Sequence, residues 1–162
     1  MVKMENSEFH TVRGYQLIEQ EKKLLTSAME DYLEMIFRNI KKEGYMRINT
    51  LAEMLNVRPS SATKMVQKLS EKGFVEYKRY GIITLTEKGK ALGEFLLKRH
   101  NIIEKFLRSI GISDNLLIET ELIEHNLSVD TLRSIDELNS FFEEYPEILE
   151  KFRRYKNKKA KK

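Results

Sequence analysis

The stretch that most constrains this chain is Asn56-Val57-Arg58-Pro59, because no helix runs through it. Proline lacks a backbone N–H and pushes the residue before it out of the helical region. Upstream, Leu51, Ala52 and Leu55 recur on one face and predict a short helix over 48–55. Downstream, Ser60 or Ser61 is placed to cap a second helix that runs to about Lys72 and stops at Gly73. Phe74-Val75-Glu76-Tyr77-Lys78 then alternates with the period of a strand. Arg79-Tyr80-Gly81 reads as a turn and Ile82-Ile83-Thr84-Leu85 as the returning strand, which makes a hairpin. Preceded by one more helix, this order is that of a winged helix-turn-helix.

That preceding helix is predicted from about Ala28. Ser27 and Glu30 are spaced as a capping box, and Met29, Tyr32, Leu33, Ile36, Phe37 and Ile40 recur at helical spacing up to Gly44. Residues 1–26 form an N-terminal extension in which Tyr15, Leu17, Ile18, Leu24 and Leu25 suit a short amphipathic helix. After the hairpin, Thr86 is set to cap a long helix over 87–110, with Leu92, Phe95, Leu96, Ile103, Phe106 and Leu107 inward and Gly111 at its end. Ser113 opens a helix to about Leu127, Ser128 another to about Glu144, and Pro146 suits the first turn of a last one. The fold class is therefore mainly α with a small β-hairpin wing. Its predicted parts are the extension over 1–26, the winged helix-turn-helix over 27–90 and an all-helical domain over 91–162.

Composition removes several function classes. The absence of cysteine excludes disulfides and thiolate metal sites. No apolar run is long enough to cross a bilayer and the charged N-terminus has no signal-peptide core, so a cytoplasmic protein without membrane association is expected. The formal net charge is +4, and residues 151–162 hold eight basic side chains and no acidic one. That stretch reads equally as a solvated helix end and as a segment that attracts phosphate. There is no nucleophile–base–orienter set and no phosphate-binding glycine loop, so hydrolase and kinase readings have no support and no small-molecule substrate is expected.

In a winged helix-turn-helix the second helix of the pair lies in the major groove of double-stranded DNA. Met65, Val66 and Leu69 fall on its inner face, while Ser60, Ser61, Thr63, Lys64, Gln67 and Lys68 fall outward. Hydroxyls and free N–H groups at a helix N-terminus bind phosphate, a glutamine pairs with an adenine edge, and a lysine meets phosphate or guanine. Arg58 in the turn and Lys78, Arg79 and Tyr80 at the wing tip complete the candidate DNA-binding set.

A second constellation is acidic. Asp31 and Glu34 are three apart on the opening helix; Glu121, Glu124 and His125 share a later helical face; His100 lies on the long helix between them. Carboxylates and imidazoles are competent ligands for one or two divalent cations. Carboxylates at this spacing also form ordinary solvated faces, and such sets build di-metal oxygen-activating enzymes as well.

The chain resembles the diphtheria toxin repressor family and, within it, the manganese transport regulator branch. The matching segments are Met29-Glu30-Asp31-Tyr32-Leu33-Glu34, Pro59-Ser60-Ser61-Ala62-Thr63-Lys64-Met65-Val66-Gln67-Lys68-Leu69, Leu85-Thr86-Glu87-Lys88-Gly89-Lys90, Arg99-His100 and Ile123-Glu124-His125-Asn126-Leu127-Ser128. The resemblance implies a transcriptional repressor, a homodimer that binds a palindromic operator when metal is loaded and controls metal-uptake genes, with 91–162 as the metal-binding and dimerisation domain. It places the metal ligands on Asp31, Glu34, His100, Glu121, Glu124 and His125. Two of these positions carry sulfur in the iron-responsive branch; here they are Asp31 and Glu121. Hard oxygen donors suit Mn2+, up to two ions per subunit, with Fe2+, Co2+ or Cd2+ as substitutes. The expected mechanism is that metal neutralises clustered carboxylates and sets the two recognition helices at the spacing of the half-sites. Residues 1–26 extend beyond the start of the branch, and 162 residues leave no room for the iron branch's third, SH3-like domain. Two alternatives remain open: a winged-helix regulator with an organic effector, and a di-metal enzyme.

Overall fold

The computed structural model describes residues 12–40 and 43–160, with the side chains of 12–15 outside the description. Expectations for residues 1–11, for the Tyr15 side chain and for Lys161 and Lys162 lie outside it. The described elements are α1 (Val12–Lys22), α2 (Ser27–Ile40), β1 (Met46–Arg47), α3 (Ile48–Met54), α4 (Pro59–Glu71), β2 (Val75–Lys78), β3 (Ile82–Leu85), α5 (Glu87–Ser109), α6 (Leu116–Glu124), α7 (Val129–Glu144) and α8 (Pro146–Ala160). They gather into two compact units, residues 1–97 and 98–162. No helix among the described residues is long and apolar enough to cross a membrane.

The first unit is built around Leu33, Ile36, Leu51, Val66, Leu69, Phe74 and Ile83, all fully buried. Apart from Phe74, which lies between α4 and β2, these are the apolar positions of α2, α3 and α4 and an inward residue of β3, so helical and strand periodicities converge on one core. The sheet has three strands in the order β1-β3-β2, all antiparallel, with Tyr77 opposite Ile83 and Met46 opposite Ile83 on its other side. The hairpin is as predicted; the third strand, only two residues long, is an addition. A 3-10 turn over Arg79–Gly81 joins β2 to β3, with Tyr80 at φ 63° and Gly81 at φ 71°. In α1, Ile18 is buried, Leu17 is exposed, and Leu24 and Leu25 lie past the helix end.

Three helix starts differ from the expected ones. At α2 the cap is Thr26, whose Oγ1 accepts from the Met29 N–H at 3.3 Å, so Ser27 already lies in the helix. At α4 neither Ser60 nor Ser61 caps. Pro59 opens the helix, and Arg58 before it makes no side-chain cap; its carbonyl accepts from the Ser61 and Ala62 N–H groups. Proline's fixed φ and missing N–H suit that first position. At α6 the helix begins at Leu116, after Asn115 in the left-handed region at φ 56°, and ends at Glu124 with His125 as its C-cap, both short of the expected bounds.

Two caps hold as predicted. Thr86 Oγ1 accepts from the Gly89 N–H at 3.0 Å and donates to the Gly73 carbonyl at 2.7 Å, which ties the start of α5 to the end of α4. A side chain at Gly89 would collide with the Phe74 carbonyl, 1.8 Å from its Cβ, so only glycine allows this approach. Ser128 Oγ accepts from the Thr131 N–H at 3.2 Å and starts α7. In the second unit Ile102, Ile103, Leu107, Leu116, Val129 and Leu132 are buried, and Asn139 of α7 donates to the Ile102 carbonyl at 2.9 Å.

Candidate metal centre and nucleic-acid interface

The α3–α4 pair and the wing present the predicted outward chemistry. Ala62, Val66 and Leu69 turn inward, fully buried, and Met65 is half-buried. Ser60, Ser61, Lys64, Gln67 and Lys68 are exposed and Thr63 is half-buried, so all six sit on the outer side of α4 or at its edge. Arg58 is exposed just before it. At the wing, Lys78 pairs with Glu76 at 3.1 Å, Arg79 is exposed, and Tyr80 is 88% exposed. Lys78 holds the Glu76 carboxyl below its ordinary range through a hydrogen bond and its charge. An aromatic ring held out in the left-handed region is costly in both solvation and backbone, the kind of outlier that functional sites retain.

The acidic residues of α2 divide. Glu34 is buried and ion-paired with Arg38 one turn on, while Asp31 is exposed. Burial pushes the Tyr32 phenol between them above its ordinary value.

The second unit gathers its ionisable groups more tightly. His100 is 5% exposed and Glu124 1% exposed, and His100 Nδ1 lies 3.2 Å from Glu124 Oε2. His125 Nε2 lies 3.8 Å from the other oxygen of Glu124. A buried carboxylate between two imidazoles is stable only when its charge is met by hydrogen bonds, protons or a cation. The donors are all nitrogen and oxygen, which fits a divalent cation of the harder kind. Glu121, one turn before Glu124, is exposed and not part of this buried group.

Two residues outside the predicted set border the cluster. Arg99 is buried, with Nη2 3.4 Å from His125 Nδ1. Glu104 Oε2 lies 3.5 Å from His100 Nε2, so both ring nitrogens of His100 face carboxylates. Arg108 holds Glu104 through bonds of 3.0 and 2.7 Å and lowers its pKa, against an opposing effect of burial. The i, i+4 spacing of His100 and Glu104 on one helix is the sequence signal that points to this neighbour.

Comparison with known proteins covers both units. The family model described as iron dependent repressor, N-terminal DNA binding domain, matches residues 24–83. The model described as iron dependent repressor, metal binding and dimerisation domain, matches residues 86–153. The HTH-type transcriptional regulator MntR of Lysinibacillus sphaericus is 44% identical over 127 residues, 78% of this chain and 91% of that protein. Among solved structures, the metal-dependent transcriptional regulator MtsR matches with a TM-score of 0.65 at 27% identity, over 72% of this chain and 55% of that one. The manganese regulator SloR matches with a TM-score of 0.62 at 27% identity, over 70% of this chain and 54% of that one. The chain thus spans about half the length of these two solved relatives.

Proposed function

The chain belongs to the iron dependent repressor family, and from that premise we propose that it is a homodimer that binds a palindromic operator when loaded with manganese. Membership makes it a metal-dependent, DNA-binding transcriptional repressor and not an enzyme, which removes the di-metal oxidase alternative. Its metal is a divalent cation; manganese is the specific reading, supported by a donor set without sulfur and by a solved relative named as a manganese regulator. The observation that carries it is the His100–Glu124–His125 group, with His100 and Glu124 buried, inside the part matched by the metal-binding model.

In this reading the ligands are Asp31, Glu34, His100, Glu121, Glu124 and His125, serving up to two ions per subunit. Bound metal neutralises carboxylates that otherwise repel one another. The gain is structural: the two recognition helices of the dimer are held at the spacing of the half-sites, about one helical turn or a multiple. In each subunit α4 enters the major groove, with Gln67 reading a base edge, Lys64 and Lys68 on phosphate, and Ser60, Ser61 and Thr63 at the helix start. Arg58, Lys78, Arg79 and Tyr80 flank that contact. Dimerisation is supported by a second observation. Leu117, Ile118 and Leu122 of α6 are 57%, 55% and 64% exposed, an aliphatic face that a second copy would cover. The regulated genes are those of metal uptake, and the place of action is the cytoplasm.

The test is a metal titration of operator binding by fluorescence anisotropy, with Mn2+ and Fe2+ side by side in chelator-treated protein. Manganese promotes binding at free concentrations where iron does not. Operator binding that ignores both metals would reject the reading and return the organic-effector alternative.

A further inference from the structure

The second unit holds a cleft that the repressor reading leaves unused. It measures about 340 Å3 and is walled by α5, α7 and α8, at the small end of ligand pockets, which run roughly 300–1,000 Å3. Its charge is uneven. Of three cations on its wall, Lys105 is paired with Glu143 at 2.6 Å and Arg108 with Glu104 at 2.7 Å. Arg153 makes no ion pair among the described residues, so the wall carries one cation in excess.

Asn139 lines the same cleft and is 1% exposed. Its Nδ2 donates to the Ile102 carbonyl, and its Oδ1 accepts no hydrogen bond from any described residue. The donated bond fixes the amide, because the flipped form would set two acceptors against each other. The unpartnered end is therefore an acceptor, sealed from solvent, and a buried acceptor calls for a donor. Phe142 supplies an apolar wall beside it.

A surplus guanidinium and a buried acceptor on the wall of one cleft define a ligand with an anionic group at one end and an O–H or N–H at the other. We propose that this cleft binds a small hydroxylated organic anion of the polyol phosphate class, its anionic group on Arg153 and a hydroxyl donating to Asn139 Oδ1. Occupancy would also be felt at the metal cluster. A second anionic oxygen competes with Glu104 for Arg108, and Glu104 in turn faces His100. By linkage, metal then alters affinity for the anion as the anion alters affinity for metal. That coupling rests on the proposed ligand role of His100; the cleft itself does not.

The experiment is calorimetric titration of the full, chelator-treated chain with glycerol 3-phosphate, against inorganic phosphate and glycerol as its two halves. Glycerol 3-phosphate binds one per chain and more tightly than either half. Arg153→Gln weakens it about tenfold, the size of one lost charge-assisted hydrogen bond. Arg153 is exposed, so this variant keeps the wild-type melting curve. Asn139→Ala, checked for folding by circular dichroism, brings glycerol 3-phosphate down to the affinity of phosphate. No saturable binding, equal affinity for phosphate in the wild type, or an Arg153→Gln variant that binds unchanged overturns the proposal. So does a random-sequence duplex that protects Arg153 while glycerol 3-phosphate fails to displace it, since the cation then serves nucleic acid. Repeating the titration with Mn2+ tests the coupling alone: a changed affinity supports it, and an unchanged one rejects it while leaving the cleft in place.

Discussion

In the first unit the groups assigned to DNA stand outside the fold: Ser60, Ser61, Lys64, Gln67 and Lys68 are exposed on a helix whose other face is fully buried. In the second unit two of the groups assigned to metal are inside it: His100 and Glu124 are nearly inaccessible and touch each other, while Glu121 is exposed. The difference matters for how each site is probed. An exposed face changes without cost to the core, so its variants report on binding. A buried polar group is held by its partners, and removing one leaves the rest uncompensated. Substitutions there must keep shape to report on function.

The largest effect tests whether the exposed face depends on the core beneath it. Phe74 is fully buried, and its carbonyl accepts from the Thr86 N–H at 3.2 Å. Phe74→Ala removes a ring from a packed core and costs about 3–5 kcal/mol, read as a shift in the denaturant midpoint. A loss below about 1 kcal/mol would mean that the hairpin does not lean on this core. Next comes the buried cluster. Glu124→Gln keeps the shape and removes the charge. It lowers metal-dependent operator binding by about 5–150-fold, the range of an ordinary coupling, and leaves the apo-protein's melting temperature near wild type. A variant whose metal response is intact would strip Glu124 of its role. Between them, these two substitutions separate loss of fold from loss of effector.

The exposed face gives smaller and more selective effects. Gln67→Ala reduces discrimination at one base pair by about 1–3 kcal/mol. Lys64→Ala lowers affinity for all sequences and reduces the salt slope by about one. Anisotropy on matched and mismatched duplexes at several salt concentrations tells them apart. Equal loss on every sequence for Gln67→Ala would place it on the backbone instead.

The two sites were also unequally legible in the sequence. Pro59, Gly73 and the alternation over 74–85 are local signals, and α4 with its hairpin follows from them. β1 has no local signal: Met46 and Arg47 become a strand only by pairing with Ile83 and Ile82, residues distant in sequence. At α6 a serine suggested the start, but the chain turns through Asn115 instead. The candidate metal residues were readable as residue types at a spacing. Their burial was not, because Glu121 and Glu124 lie one turn apart on the same helix and differ only in what packs over them. Arg99 is invisible for the same reason: a charged side chain almost never reads as buried from sequence.

The smallest effect sets two serines against each other. Ser128 caps α7 by accepting from the Thr131 N–H, so Ser128→Ala costs about 1 kcal/mol of stability. Ser60 lies in the first turn of α4, where no side-chain cap forms. Its hydroxyl is therefore not committed to holding the helix and is left for phosphate, while the Ser61 and Ala62 N–H groups beside it already donate to the Arg58 carbonyl at 2.9 and 3.1 Å. Ser60→Ala changes stability by no more than about 0.5 kcal/mol, yet weakens operator binding on all sequences. Paired melting curves and anisotropy titrations give both numbers for both variants. If Ser60→Ala destabilises as much as Ser128→Ala, the hydroxyl belongs to the fold, and the start of α4 is no more free for DNA than the start of α7.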